Sequence, residues 1–174
     1  MKIGVLRESD PSEHRVALVP ETVGLLVKAG HELFIGKSAG TDAGFMDSFY
    51  AESGASTASA QDVYEVVDVL VHIQPPTIDE ILSIKEGTVL VSLLDARSSP
   101  DRISALATAG VTALAMDLIP RIARAQRMDV LSSQASIAGY RAALIAASSL
   151  GKYLPMMMTA AGTIPPAKIL VLGA

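Results

Sequence analysis

The chain has 174 residues, a net charge of −4 and 50% hydrophobic residues, enough for one large domain or two small ones with a sizeable core. The acidic balance and an aromatic content of 4% argue against a basic, ring-lined surface, so no nucleic-acid partner is expected. Because the chain has no cysteine, disulfides, thiolate catalysis and cysteine-ligated metals are excluded.

Neither a membrane span nor a signal peptide is predicted. The most apolar long stretch, residues 137–150, is too short for the roughly 20 residues of a span, and Arg141 interrupts it. The N-terminus carries charges at both ends of a short apolar run and lacks the longer apolar region of a signal peptide. We therefore expect a soluble chain that faces the cytosol and has no transmembrane segment.

The first 116 residues alternate between apolar runs and helical patterns. Five strands are predicted, at residues 2–6, 32–35, 66–73, 88–94 and 111–116. Helices with proline, hydroxyl or acidic residues near their starts are predicted at 21–29, 47–53, 60–65, 77–84 and 99–109. This alternation is typical of a parallel sheet with crossover helices, so the predicted class is α/β.

Candidate ligand contacts follow the first strand. Arg7 and Glu8 lie at its carboxyl end, where open α/β sheets place ligand sites. Arg7 and Arg15 are candidate anion contacts, with surface charges as the alternative. His72 lies inside the third strand and has no partner at metal-ligand spacing, so we interpret it as structural and predict no metal.

A polar stretch, residues 120–141, interrupts this apolar chain. Five polar side chains fall within nine residues of it, namely Arg121, Arg124, Gln126, Arg127 and Asp129. A loop with so many donors could hold an anionic or amide-bearing ligand; a solvated loop is the alternative. Ser132 or Ser133 is the expected cap of a helix over residues 133–150, whose apolar positions cover most of its circumference. That pattern predicts burial on more than one side.

The end of the chain is compatible with the opening of a dinucleotide-binding unit. A strand is predicted at residues 168–172, and Gly173 follows it. A glycine turn after a strand opens such units, but only the first glycine of the turn is present. A terminal strand without a cofactor is the alternative.

Longer motifs carry a resemblance to a known family. Four segments resemble the nucleotide-binding subunit of proton-translocating NAD(P) transhydrogenase. They are PRIARAQRMDVLSSQ at 120–134, IAGYR at 137–141, MTAAGTIPPAK at 158–168 and RVALVP at 15–20. The resemblance covers the whole chain, and alanine dehydrogenases are the wider relatives. It implies a Rossmann-like lobe with a parallel sheet and flanking helices, then a long linking helix and the first strand of a second Rossmann lobe.

The resemblance also implies domains and partners. Residues 1–130 would form the N-terminal Rossmann-like lobe. Residues 131–174 would hold the linking helix, a hairpin-like segment and the start of the NAD(H)-binding lobe. The complete enzyme transfers hydride between NADH and NADP+ and couples it to proton translocation. The expected partners are a second copy in a homodimer, an NADP(H)-binding domain and a membrane domain. The chain would lie peripherally on the cytoplasmic side of the membrane.

Residue roles follow from the resemblance alone. Gln126, the expected catalytic residue, would lie between two nicotinamide rings and help align them for direct hydride transfer. Arg121, Asp129 and Ser132 would hold the carboxamide of NAD(H) and its neighbouring groups, and Tyr140 would pack close by.

Two departures from the family pattern matter for the predicted reaction. Gly173 would be the first glycine of the phosphate turn, and the 174-residue chain lacks the rest, so we expect it to be inactive by itself. The keto-acid lysine and histidine of alanine dehydrogenases are unmatched in the strands that hold His72 and residues 91–96. An alanine dehydrogenase-like NAD enzyme and a non-catalytic dimerisation or docking lobe remain as alternatives.

Overall fold

A computed structural model describes residues 1–173, which divide into two compact units, Met1–Met128 and the residues from Asp129 onward. The strands of the first unit are β1 (Lys2–Val5), β2 (Glu32–Gly36), β3 (Ser56–Ala58), β4 (Val69–Val71), β5 (Val89–Ser92) and β6 (Thr112–Ala115). Its helices are α1 (Pro20–Lys28), α2 (Asp47–Glu52), α3 (Ala60–Val66), α4 (Ile78–Ser83) and α5 (Pro100–Thr108), with 3-10 turns at Thr41–Ala43, Met116–Leu118 and Ala123–Met128.

The six strands form one parallel sheet in the order β3-β2-β1-β4-β5-β6. The predicted α/β class, with a parallel sheet and flanking helices, is confirmed. β1 lies at the centre, where Ile3 pairs with Leu33 of β2 on one side and with Val69 of β4 on the other. Because the strand order reverses between β1 and β4, the carboxyl ends of these strands border the crevice in which such sheets bind ligands.

Hydrophobic residues on alternate positions of each strand fill a core on each face of the sheet. Ile3 and Val5 of β1 pack in one core with Val23 of α1 and Tyr50 of α2. The other core includes residues of α3, α4 and α5, namely Val63, Ile81 and Leu106, together with Leu70 and Leu90 from the sheet. This two-sided burial explains why the central strands are almost continuously apolar.

Gly4 allows α3 to pack directly against β1. A Cβ atom at this position would lie 2.6 Å from Val63 Cγ1 and 2.8 Å from Val67 Cγ1. Both side chains are buried, so neither can move aside without disturbing the core. The close approach of this helix to the central strand therefore requires glycine at position 4.

Two element predictions in the first unit differ from the structure. β3 is not predicted, because Ser56, Thr57 and Ala58 form a short edge strand without an apolar run. The strand predicted over 66–73 is limited to Val69–Val71, since Val66 completes α3 and Val67 is its C-cap. Both valines face the core from the helix, so their apolar character reflects burial and not strand structure.

The second unit contains α6 (Val130–Ser149) and a hairpin of β7 (Met157–Thr159) and β8 (Gly162–Ile164). α6 starts three residues earlier than predicted, because Asp129 caps it in place of Ser132 or Ser133. Its residues are exposed or half-buried, which contradicts the predicted burial on more than one side.

The strand predicted at residues 168–172 does not form in the structure. The segment has no regular secondary structure, and its apolar side chains from Ile169 to Leu172 are exposed. A strand needs a neighbour that takes its backbone hydrogen bonds, and within residues 1–173 no segment pairs with this one.

None of the helices within residues 1–173 has the length and apolar composition needed to cross a bilayer.

We predict that Gly4→Ala lowers the free energy of unfolding by about 1–3 kcal/mol, because the added methyl group overlaps two buried valines. Gly24→Ala is the matched control, since a Cβ there meets no atom closer than 3.9 Å and alanine favours the helix. Urea unfolding of both variants measures the difference. Equal stability of the two variants would contradict the close packing of α3 on β1.

Candidate functional site

The loop that follows β6 is held at a defined position in the first unit. Its middle residue, Ala125, is only 3% exposed and anchors the turn Ala123–Met128 in the protein. The Ala125 N–H donates to Ile122 O at 2.9 Å, and the Ile122 N–H donates to Pro120 O at 2.9 Å. The neighbouring Gln126 therefore projects from an ordered backbone.

Arg121 and Gln126, two of the predicted site residues, are exposed on this loop. Neither side chain makes a hydrogen bond or an ion pair within residues 1–173. Their donor groups are thus available to a ligand. Arg124 and Arg127 are exposed on the same loop, which concentrates positive charge in an otherwise acidic chain.

A cavity of about 500 Å³ lies beside the start of this loop, at the carboxyl ends of β5 and β6. It is lined by Asp95, Arg97, Asp117, Leu118, Ile119 and Pro120. Asp95 has a positive φ of 48°, a conformation that non-glycine residues seldom adopt. Sequence reasoning missed this cavity, although an aspartate shortly after each of two apolar strands is a usable signal.

Asp129 and Ser132, the predicted site residues of the second unit, bind each other. Asp129 Oδ1 accepts the Ser132 N–H at 2.9 Å, and Asp129 Oδ2 accepts the Ser132 hydroxyl at 2.6 Å. These bonds begin α6 and fix both side chains in its first turn. Tyr140 is 70% exposed further along α6.

Gly173 has a φ of 83°, in the left-handed region that favours glycine. A turn at this position is therefore compatible with its predicted role as the first glycine of a phosphate loop. It lies in the second unit, after a segment without regular secondary structure and not after a formed strand.

A buried carboxylate joins the chain after β1 to the chain after β4. Glu8 Oε1 accepts the backbone N–H of Ile73 at 2.8 Å, and Glu8 Oε2 accepts that of Gln74 at 2.9 Å. His72 is 5% exposed, and its Nδ1 lies 3.8 Å from Glu8 Oε2. His72 is thus buried directly after β4, and its Nε2 has no hydrogen-bond partner among the described residues.

The two candidate anion contacts are both paired within the first unit. Arg7 donates from Nε and Nη2 to Asp42 Oδ2, at 3.1 and 2.7 Å. Arg15 donates from Nε to Glu13 Oε1 at 2.8 Å and from Nη2 to Glu13 Oε2 at 2.5 Å, and hydrogen bonding to Arg15, above all, lowers the pKa of the Glu13 carboxyl from 4.5 to about 2. Gln74 Nε2 also donates to Glu13, at 2.8 Å, and joins this loop to the end of β4.

The geometry defines a Rossmann-like α/β domain with a rigid polar loop at the carboxyl edge of its sheet. The chain belongs to the family described as "Alanine dehydrogenase/PNT, N-terminal domain", which matches residues 4–138. This confirms the resemblance that the sequence motifs carry.

Three relatives place the chain within this family. It is 44% identical to the first part of NAD(P) transhydrogenase subunit alpha of Rhodospirillum rubrum, over 99% of the chain and 47% of that protein. The crystal structure of transhydrogenase from Sinorhizobium meliloti matches with a TM-score of 0.90 at 42% identity, over 96% of this chain and 50% of that one. An L-alanine dehydrogenase structure matches with a TM-score of 0.78 at 30% identity, over 85% of this chain and 40% of that one. The chain therefore spans about half the length of these relatives.

We predict that Glu13→Gln reduces the acid sensitivity of the fold. A carboxyl with a lowered pKa stabilises the folded state above its unfolded pKa, and this stability is lost as the pH falls from 4.5 to about 2. At pH 7 the variant should be less stable than wild type by about 1 kcal/mol, because it loses the ion pair with Arg15. The loss is small since the Arg15 side chain is exposed to solvent. Urea titrations from pH 7 to pH 2 measure the effect.

Glu52→Gln, at the exposed end of α2, is the matched control for this titration. It should keep the wild-type loss of stability between pH 4.5 and 2. An identical pH profile for Glu13→Gln and wild type would show that the Arg15 pair does not stabilise the fold.

Proposed function

We propose that this chain is the N-terminal part of the NAD(H)-binding subunit of a proton-translocating NAD(P) transhydrogenase. The observation that carries the proposal is the exposed Gln126, presented on an ordered loop in a chain 42–44% identical to transhydrogenases. In this proposal NAD(H) binds to this subunit, and NADP(H) binds to a separate domain of the same enzyme.

The candidate side chains fit the carboxamide of a nicotinamide ring. That group has one acceptor oxygen and an amine with two N–H donors. The Arg121 guanidinium only donates, which suits the carboxamide oxygen, and the Asp129 carboxylate only accepts, which suits the carboxamide amine. Ser132 is bonded to Asp129 in the first turn of α6, so these two side chains would meet a ligand as one fixed unit.

Gln126 is proposed to orient the reacting groups. When both nucleotides are bound, the dihydronicotinamide ring of NADH would supply the hydride and the nicotinamide ring of NADP+ would accept it. Direct transfer needs no acid or base from the protein, so the work of the residues is to align and hold the reactants at a near-attack distance. An amide side chain on a loop anchored by the buried Ala125 suits this task, because its backbone is already ordered.

Gly173 is proposed to open the phosphate turn of the second lobe, with residues 1–130 and 131–174 as the two domains. Its positive φ supports a turn that only glycine adopts readily. The complete protein would lie on the cytoplasmic side of a membrane, through its membrane domain.

A homodimer is proposed on the basis of α6. Five large apolar side chains of this helix are exposed, namely Leu131, Ile137, Tyr140, Leu144 and Ile145. A helix of this kind is only marginally stable in water without tertiary packing, and an exposed apolar surface is typical of an interface. A second subunit and the NADP(H)-binding domain are the proposed partners.

The function is tested with a protein that carries this chain at the full length of its relatives, mixed with its NADP(H)-binding domain. Reduction of an NADP+ analogue by NADH is the expected result. Absence of transfer with both nucleotides bound would overturn the proposal.

An alanine dehydrogenase-like enzyme is the second candidate, supported by the match to the L-alanine dehydrogenase structure. Alanine-dependent production of NADH by the same full-length protein would favour it. We expect none, because the relatives' substrate lysine and histidine are unmatched here.

We predict that Gln126→Ala slows hydride transfer by about 100-fold, the cost of a misalignment of about 1 Å, while the Kd for NADH changes by less than about threefold. Stopped-flow transfer under saturating nucleotides and NADH fluorescence titration measure the two quantities. Gln61→Ala, on the exposed surface of α3, is the matched control and should change neither. Equal losses of rate and affinity would contradict an alignment role.

A further inference from the structure

Two side chains connect the strand ends at the carboxyl edge of the first unit. Arg102 of α5 donates from Nε to Pro76 O at 3.1 Å, after β4, and from Nη1 to Leu94 O at 3.0 Å, after β5. Asp117 Oδ1, after β6, accepts the Leu94 N–H at 2.8 Å. Asp117 and Arg102 therefore form hydrogen bonds with the N–H and the C=O of Leu94, respectively.

The bond to Asp117 extends the pairing of β5 and β6 beyond the sheet. Regular pairing of these strands reaches Ser92 and Ala115. Leu94 is 1% exposed, so its N–H would be buried without a partner if the carboxylate were removed. The Asp117 carboxylate thus supplies the acceptor for an N–H that lies beyond the regular pairing.

Asp117 also fixes the root of the loop that presents Gln126. It lies in the turn Met116–Leu118, and Pro120, which has a fixed φ, follows that turn. The next anchored point is the buried Ala125, directly before Gln126. The backbone between β6 and Gln126 is therefore held at two points, of which Asp117 is the first.

We propose that Asp117 is a positioning residue for hydride transfer, which acts by holding the loop of Gln126 against the end of β5. This inference rests on the proposed transhydrogenase function. A carboxylate that contacts the Leu94 N–H does not need to contact a nucleotide, so its loss should affect the alignment of reactants and not their affinity.

The test uses Asp117→Ala and Asp117→Asn in the full-length protein with its NADP(H)-binding domain. Asparagine keeps an oxygen that can accept the Leu94 N–H, and alanine does not. Asp117→Ala should lower the rate of transfer at saturating nucleotides by about 10-fold or more, with the Kd for NADH within about threefold of wild type. Asp117→Asn should recover most of the rate. Asp101→Ala, an exposed carboxylate of α5, is the matched control.

Hydrogen exchange of the same variants gives an independent readout. The amides of Leu94, Ile122 and Ala125 should exchange faster in Asp117→Ala, while the amides of β1 and β4 keep their wild-type rates. If Asp117→Ala does not fold, Asp117→Glu replaces it, because it keeps the charge but moves the carboxylate by one methylene; its transfer rate should fall at an unchanged Kd.

The outcomes separate this inference from the proposed function. An inactive wild-type protein overturns the transhydrogenase proposal, and the exchange pattern then decides whether Asp117 orders the loop. If the wild-type protein is active and the Asp117→Ala variant transfers hydride at the same rate, the positioning role of Asp117 is overturned and the transhydrogenase proposal is not. Equal losses in the alanine and asparagine variants, or a change in Kd without a change in rate, also overturn it, since they indicate a charge or contact effect.

Discussion

The carboxyl edge of the sheet depends on side chains that satisfy backbone groups beyond the last strand pairing. Glu8 accepts two backbone N–H groups after β4, while Arg102 and Asp117 bind the C=O and the N–H of Leu94, two residues after β5. Buried backbone groups without partners would be costly there. Because these contacts join neighbouring strand ends, they hold the carboxyl edge of the sheet in one arrangement. The loop with Gln126 starts from this edge, and the proposed alignment of the reactants depends on the order of the loop.

Much of the fold can be predicted because its signals are local. Apolar runs mark the central strands, and proline or hydroxyl residues mark several helix starts, including the capping boxes at Ser59 and Thr77. The missed β3 lacks such a run, since an edge strand of small polar residues has little to bury. The failed strand at 168–172 shows the opposite error: an apolar run becomes a strand only where a neighbour pairs with it.

The polar stretch around Gln126 is evident from composition, but the contacts within and around it are not. The cap at Asp129 differs from the predicted serines, because several oxygen-bearing residues there can accept the same N–H. Glu8 and Asp117 act through partners 65 and 23 residues away. Such contacts have no local pattern, since only the sheet order brings strand ends together.

The central position of β1 has a practical consequence for handling the protein. Its first residue, Lys2, is held by a 2.7 Å bond from its backbone N–H to Asp68 Oδ2, so the chain enters the sheet at a fixed point on the amino edge. In a parallel sheet this edge is opposite the carboxyl ends, about 13 Å away for a four-residue strand. An affinity tag or a surface tether joined to Met1 therefore leaves from the side opposite the cavity. Immobilisation through the N-terminus should keep the loop of Gln126 accessible to nucleotides and partner proteins.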